Sequence, residues 1–149
     1  LNLEENRIGV REYIWKLEAV IIELLLSLGI QGHRVAKYPG VWSNGEKLCS
    51  IGIHVSHHIT MHGFALNIDT DLRHFEYINP CGIKGKVMTS ISKLLGYPVE
   101  VAAIMISKFI WYCGYCRVAV SSSGRISSLN HKTINYSVEN CAVIHFLLD

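Results

Sequence analysis

A mixed α/β (α+β) domain, with a largely antiparallel sheet and helices packed against it, is the fold class that this sequence of 149 residues predicts. Three observations point there. Apolar residues near the start recur at helical spacing, an Asn-Gly pair joins two β-prone runs, and the length suits one domain able to bury roughly two-thirds of its unfolded surface without disulfides or metals.

The elements follow in chain order. Val10, Ile14, Leu17, Ile21, Leu24, Leu25 and Leu28 recur three or four apart, with Arg11, Glu12, Lys16, Glu18 and Glu23 elsewhere on the wheel. The spacing predicts an amphipathic helix from Val10 to Leu28 lying on a core, with Gly29 as its C-terminal cap. Residues 41–55, "VWSNGEKLCSIGIHV", set Asn44-Gly45 between two strand-like runs, the strongest short-range hairpin signal, and Lys47 falls just past that turn. The second strand of the hairpin is expected over Leu48 to Val55. "HGFALNIDT", residues 62–70, reads as a further strand after a short turn holding several His. "DLRHFEYI" reads as a short helix-like segment with Asp69 or Asp71 as its cap. Helical segments are expected around Ser90 to Leu95, ending at Gly96, and from Pro98 to Phe109, with Pro98 suited to a first turn. After Ile110 the sequence turns Ser-rich and shows no clear period.

Composition narrows the function classes. Half the residues are hydrophobic and 17% are charged, a globular rather than a disordered balance. A formal charge of +2, with no cluster of Lys and Arg interleaved with aromatics, argues against nucleic acid as a partner. The most apolar run, Ala19 to Leu28, is broken by Glu23 and falls well short of the ~20 residues a bilayer span needs. Five Cys, an odd count with no signal peptide ahead of it, suggest free thiols in a reducing compartment. The opening at Leu1 looks like mid-chain material, so a preceding portion, with any targeting peptide, is expected to be missing.

The chemistry centres on "YINPCGIKG", residues 77–85. Cys81 stands between Pro80, which fixes the backbone, and Gly82, which frees it. A cysteine nucleophile works as its thiolate and needs a cation or oriented amides nearby. The nearest cation in sequence is Lys84, so a partner must come through the fold, and Lys47 at the mouth of a hairpin is a rigidly placed candidate. On residue types alone, a nucleophile and a buried structural thiol both remain open. Ile51, Ile53, Phe64 and Leu66 alternate on adjacent expected strands and could line an apolar slot. Gly52 and Gly63 would allow close approach to the backbone, or mark a bulge or tight sheet contact. His54, His57 and His58 fall on or beside a turn without acidic or thiolate company, and His62 opens the next strand. Cys113 and Cys116 have redox or half-zinc spacing, with His131, Cys141 and His145 downstream, but match no trusted ligand pattern. No metal is assigned, and Cys49 is read as a strand residue.

Residues 32–85 resemble the catalytic core of the lipoyl(octanoyl) transferases, the octanoyltransferases of lipoate biosynthesis. The elements that carry the likeness are "PGVW" followed by G-E-K, "SIG" after that Lys, "HGFALN", "TDL" with its following Phe, and "PCGI", all in order. The separation of Lys47 and Cys81, 81 − 47 = 34 positions, also suits the family. The resemblance implies the fold of the biotin and lipoate protein ligase catalytic domains. It also implies a Cys81/Lys47 dyad moving an octanoyl group from octanoyl-acyl carrier protein to a lysine of lipoyl domains, those of the 2-oxoacid dehydrogenase complexes and the glycine cleavage H protein. Cys81 would form the acyl-enzyme and Lys47 would assist the thiol and shuttle the proton. Ser50, Ile51 and Gly52, with Gly63, Phe64 and Ala65, would line the substrate site, and no cofactor is implied. An amide near Gly82 could serve an oxyanion hole. The wording is nearest to plant mitochondrial members, which implies a mitochondrial location.

The family's Gly-rich "R-G-G…Y-H-G-P-G-Q" segment, one wall of its acyl site, is absent from these residues, and the tail after Phe109 departs from the usual ending. The organisation expected is a partial catalytic region over 1–110 and a divergent tail over 111–149, with strand edges left unpaired. A non-catalytic relic that still binds acyl carrier or lipoyl domains is the second reading. An unrelated cysteine hydrolase finds no support, since no base and orienting residue accompany Cys81 in a protease-like pattern.

Overall fold

The computed structural model describes residues 1–77, 87–100, 104, 117–120 and 141–147. The helix read from the apolar spacing is present as α1, Val10–Ser27. It ends in a Schellman motif, in which Gly29 N–H donates to the Leu26 carbonyl and Ile30 N–H to that of Leu25. Ile30 and Leu25 both lie in the core, which locks the exit of the helix.

Among the described residues six strands form one sheet, all of whose pairings are antiparallel: β1 (His33–Val35), β2 (Tyr38–Ser43), β3 (Glu46–Ser56), β4 (Ile59–Asn67), β5 (Arg117–Val120) and β6 (Cys141–Leu147), in the spatial order β1-β2-β3-β4-β6-β5. Asn44 and Gly45 join β2 to β3 with φ of 51° and 80°, the pair of positive values a two-residue type I′ turn requires. His57 and His58 make the turn between β3 and β4 with φ of 48° and 64°, so β4 begins three residues ahead of the expected His62. There the backbone bridge between Asn2 and Ile59 braces the hairpin.

The segment read as helix-like after Asp71 is a 3-10 helix, Leu72–Tyr77. The Ser90 to Leu95 segment is α2, Ile91–Leu95. Ser90 Oγ caps it by accepting the Lys93 N–H, and Gly96 ends it in the left-handed conformation. The helix expected over Pro98 to Phe109 falls mostly outside the described residues. In the tail, where no period was legible, two short strands appear, and β6 pairs with β4 from Gly63 opposite His145 to Asn67 opposite Cys141. β6 thus lies along the edge of β4.

The two faces of the sheet are unlike. Leu17, Ile21, Leu24 and Leu25 of α1 share one core with Val41, Cys49, Phe64 and Leu66 of the sheet, and Ile51 and Ile53 pack against it. Burial of a side chain such as Ile21 contributes about 1.5–3 kcal/mol. Trp42 and Met88 are also buried but lie outside that core, on the sheet face away from α1.

Candidate active site

Lys47 is 3% exposed although it begins a strand at the mouth of a hairpin. A break in register puts it there. Val41 pairs with Cys49 and Trp42 with Lys47, so Leu48 is one residue too many on β3. Such a bulge re-aims the side chains around it. Leu48 and Cys49 both enter the core under α1, while Lys47 shares the opposite face with Trp42. Its Nζ lies 5.5 Å from the centroid of the Trp42 ring, within cation–π range.

Gly40 makes room for the lysine stem. Its φ is 131°, and a Cβ built there would collide with the Cys49 carbonyl oxygen and come within 2.9 Å of Lys47 Cε. Only glycine both adopts that backbone and leaves that space.

The chain that follows Cys81 returns to this lysine. Lys47 N–H donates to the Val87 carbonyl and the Thr89 N–H donates to the Lys47 carbonyl, each at 2.9 Å, a parallel bridge between Lys47 and Met88. Three further ties hold the returning strap. Asn67 Nδ2 donates to the Thr89 carbonyl at 3.0 Å, Ser92 N–H donates to the Ile68 carbonyl, and Lys93 Nζ meets both oxygens of Glu46. The Thr89 hydroxyl is buried beside Lys47 and finds no hydrogen-bond partner among the described residues. Cys81 itself, with Lys84, Cys113, Cys116 and His131, lies outside the described residues.

The register sorts the six expected lining residues into two sets. Ser50 stands opposite Ala65 and Gly52 opposite Gly63, all on the face that carries Lys47. Ile51 stands opposite Phe64 on the face of α1, where Leu66 and Ile53 also pack. Small residues therefore floor the open face, and a Cβ built at Gly52 meets no described atom within 4 Å. The four apolar side chains that alternate on β3 and β4 pack toward the core.

Histidine and cysteine add little to the floor. His54 stands opposite Met61 and His62 opposite Ile53, the latter with φ of 69°. His57 Nδ1 lies 3.0 Å from Ser56 Oγ in the turn. Cys49 is a buried thiol whose Sγ lies 3.9 Å from the Ser50 carbonyl oxygen. Among the described residues no group of three His, Cys, Asp or Glu is arranged to hold a metal ion.

Two side chains at this site were not singled out in the sequence. Trp42 is one, the ring under Lys47. The other is Glu18, which sits in α1 yet is 7% exposed. Its signal was available: positions 14, 18, 21 and 25 form one stripe of a helix, and Glu18 falls in it with Ile14, Ile21 and Leu25. Glu18 Oε1 accepts the Gly40 N–H and Oε2 accepts Arg34 Nε, each at 2.9 Å.

A buried lysine on a small-residue sheet face, bridged to Val87–Thr89 in the chain that follows Cys81, is the geometry against which the likeness to known proteins is set. Residues 1–108 match the model of the lipoyl protein ligase A/B catalytic domain, and the chain belongs to that family. It is 44% identical over 109 residues to an octanoyltransferase of Bacteroides fragilis, an alignment covering 70% of this chain and 49% of the relative. It is 50% identical over 93 residues to an octanoyltransferase of Caldicellulosiruptor saccharolyticus, covering 61% and 40%. It is 45% identical over 105 residues to the mitochondrial octanoyl-acyl-carrier-protein:protein N-octanoyltransferase of Xenopus tropicalis, covering 70% and 44%. The chain spans about half the length of the curated relatives it matches.

Proposed function

We propose that this chain carries the acyl-transfer machinery of an octanoyltransferase, moving an octanoyl group from acyl carrier protein to a lysine of a lipoyl domain. The observation that carries the reading is Lys47, turned by the bulge onto the small-residue face and bridged by its backbone to Val87–Thr89, six residues beyond Cys81. Six residues of chain span at most about 20 Å, so the bridge supports a reading in which Cys81 works within reach of the lysine.

In the proposed reaction the Cys81 thiolate attacks the carbonyl carbon of the octanoyl thioester. A new C–S bond forms, the bond to the carrier sulfur breaks, and the carrier thiolate leaves with a proton from the Lys47 ammonium. The lysine amine of the lipoyl domain then attacks the acyl-enzyme. An amide forms, Cys81 leaves as thiolate, and the neutral Lys47 takes up the proton released from the incoming nitrogen. The field of the ammonium favours the thiolate in the resting state.

Ser50, Gly52, Gly63 and Ala65 form the floor on which the acyl chain would lie, while Ile51 and Phe64 would contribute through their backbone. Gly52 and Gly63, side by side, let the chain approach the sheet closely. The acceptors proposed are the lipoyl domains of 2-oxoacid dehydrogenase complexes and the glycine cleavage H protein, and the location proposed from the likeness is mitochondrial.

Incubation with octanoyl-acyl carrier protein, followed by intact mass measurement, tests the reading. The expected result is an octanoyl adduct that hydroxylamine removes and Cys81→Ser prevents. A folded chain that never acquires the adduct would instead be a relic able at most to bind its partners. Lys47→Ala is expected to slow acylation about a hundredfold near neutral pH, with partial recovery as the pH rises and the thiol ionises unaided.

A further inference from the structure

We propose that Glu18 is a positioning residue for Lys47: its carboxylate fills a gap between β1 and β2 and holds Gly40 in the one conformation that accommodates the lysine stem. The gap is visible in the register. His33 pairs with Trp42 and Val35 with Tyr38, so Arg34 alone on β1 faces three residues, 39 to 41, on β2. The strands part there, and their polar groups need another partner.

Glu18 supplies it from the neighbouring helix. One oxygen accepts the buried Gly40 N–H and the other accepts Arg34 Nε, so a single carboxylate serves both sides of the gap. Arg34 is held in turn, its Nη2 donating to the Trp15 carbonyl at 3.0 Å and its guanidinium stacking 4.3 Å from the Trp15 ring centroid. A partly buried ion pair of this kind, in which Arg34 keeps about a third of its surface in water, is weak evidence for added stability, because a well-packed apolar side chain often serves as well. What an apolar side chain cannot do is hold the Gly40 amide. The other side of Gly40 is the wall along which the Lys47 stem runs, within 2.9 Å of where a Cβ would be. From Glu18 to Lys47 the chain of contacts is therefore carboxylate, amide, glycine, lysine, with no flexible link between.

The proposal rests on Lys47 as the proton-handling group of the proposed transfer, and its test reads the placement of Lys47 rather than turnover. The 149-residue chain is treated with an amine-acylating N-hydroxysuccinimide ester, and the labelling of Lys47 is measured by peptide mass spectrometry relative to the exposed Lys16. In the parent protein Lys47 labels more slowly than Lys16. Glu18→Met keeps the length of the side chain and removes both acceptors, and is expected to raise the Lys47 to Lys16 ratio about tenfold while Lys93 stays unchanged. Glu18→Gln retains one oxygen for the Gly40 amide and is expected to return the ratio most of the way to the parent value. A purely structural role would make the two variants alike.

An unchanged ratio in folded Glu18→Met, or equal ratios in the two variants, overturns the proposal. Should Glu18→Met fail to melt cooperatively, hydrogen exchange of the parent protein decides: the Gly40 amide is expected to be protected, and exchange at the rate of an open loop overturns the assignment. If no acyl adduct ever forms while the labelling behaves as expected, the transfer reading fails and the positioning role stands.

Discussion

The sheet has two faces built on opposite plans. Toward α1, large apolar side chains from β2, β3 and β4 interlock with Leu17, Ile21, Leu24 and Leu25. Away from α1, Ser50, Gly52, Gly63 and Ala65 set small side chains beside the buried Lys47 and Trp42. The first face keeps water out with large side chains, and the second, over those four residues, is built of small ones. Stability is thus expected to respond to the first and chemistry to the second.

The largest effect on that contrast belongs to the filled face. Ile21 is fully buried, and Ile21→Ala is expected to cost about 2–5 kcal/mol in urea unfolding. A loss below about 1 kcal/mol would mean that α1 is not what seals the sheet. On the open face, Gly52→Ala adds a methyl where no described atom lies within 4 Å, and its stability is expected to change by less than about 1 kcal/mol. Under the proposed function the same methyl stands where the acyl chain would rest, so adduct formation is expected to fall about tenfold or more. A variant that unfolds without losing acyl loading would reverse the assignment of the two faces.

The smallest effect lies at the rim, after β4. The Arg73 side chain, bonding both oxygens of Asp71, and then the Arg73 amide lower the Asp71 carboxyl from 3.8 to about 2. A carboxylate favoured in the folded state adds stability above 3.8 and loses it as the pH falls through about 2. Because the pair is exposed and screened, Asp71→Asn is expected to shift the melting temperature only slightly at pH 6 and by less still near pH 2. A large shift at pH 6 would show the rim to be coupled to one of the faces.

Much of the filled face was legible in the sequence, since α1, the Asn44-Gly45 hairpin and the alternation along β3 and β4 are local patterns. The open face was legible only in part. "SIG" and "HGFALN" drew attention to the glycines, but strand alternation alone would put Lys47 on the same side as Cys49, because nothing in "EKLCS" announces an extra residue. Glu18 was placed on the solvent side of its helix because a carboxylate in an apolar stripe is explained only by a gap two strands away. β5 and β6 escaped for a related reason: β6 pairs with β4 across about 80 residues and β5 pairs in turn with β6, and a short apolar run such as "CAVIHFL" does not reveal its partner.

The surplus residue at Leu48 gives β3 two phases, one before it and one after. Excising that position would join Lys47 directly to Cys49, and simple alternation would still hold the two on opposite faces, so the ammonium would keep its side of the sheet while the core under α1 lost the Leu48 side chain. A trinucleotide deletion there is thus expected to tell in stability rather than in the direction of the lysine, the surplus residue being a piece of hydrophobic filling that the strand accommodates by swelling.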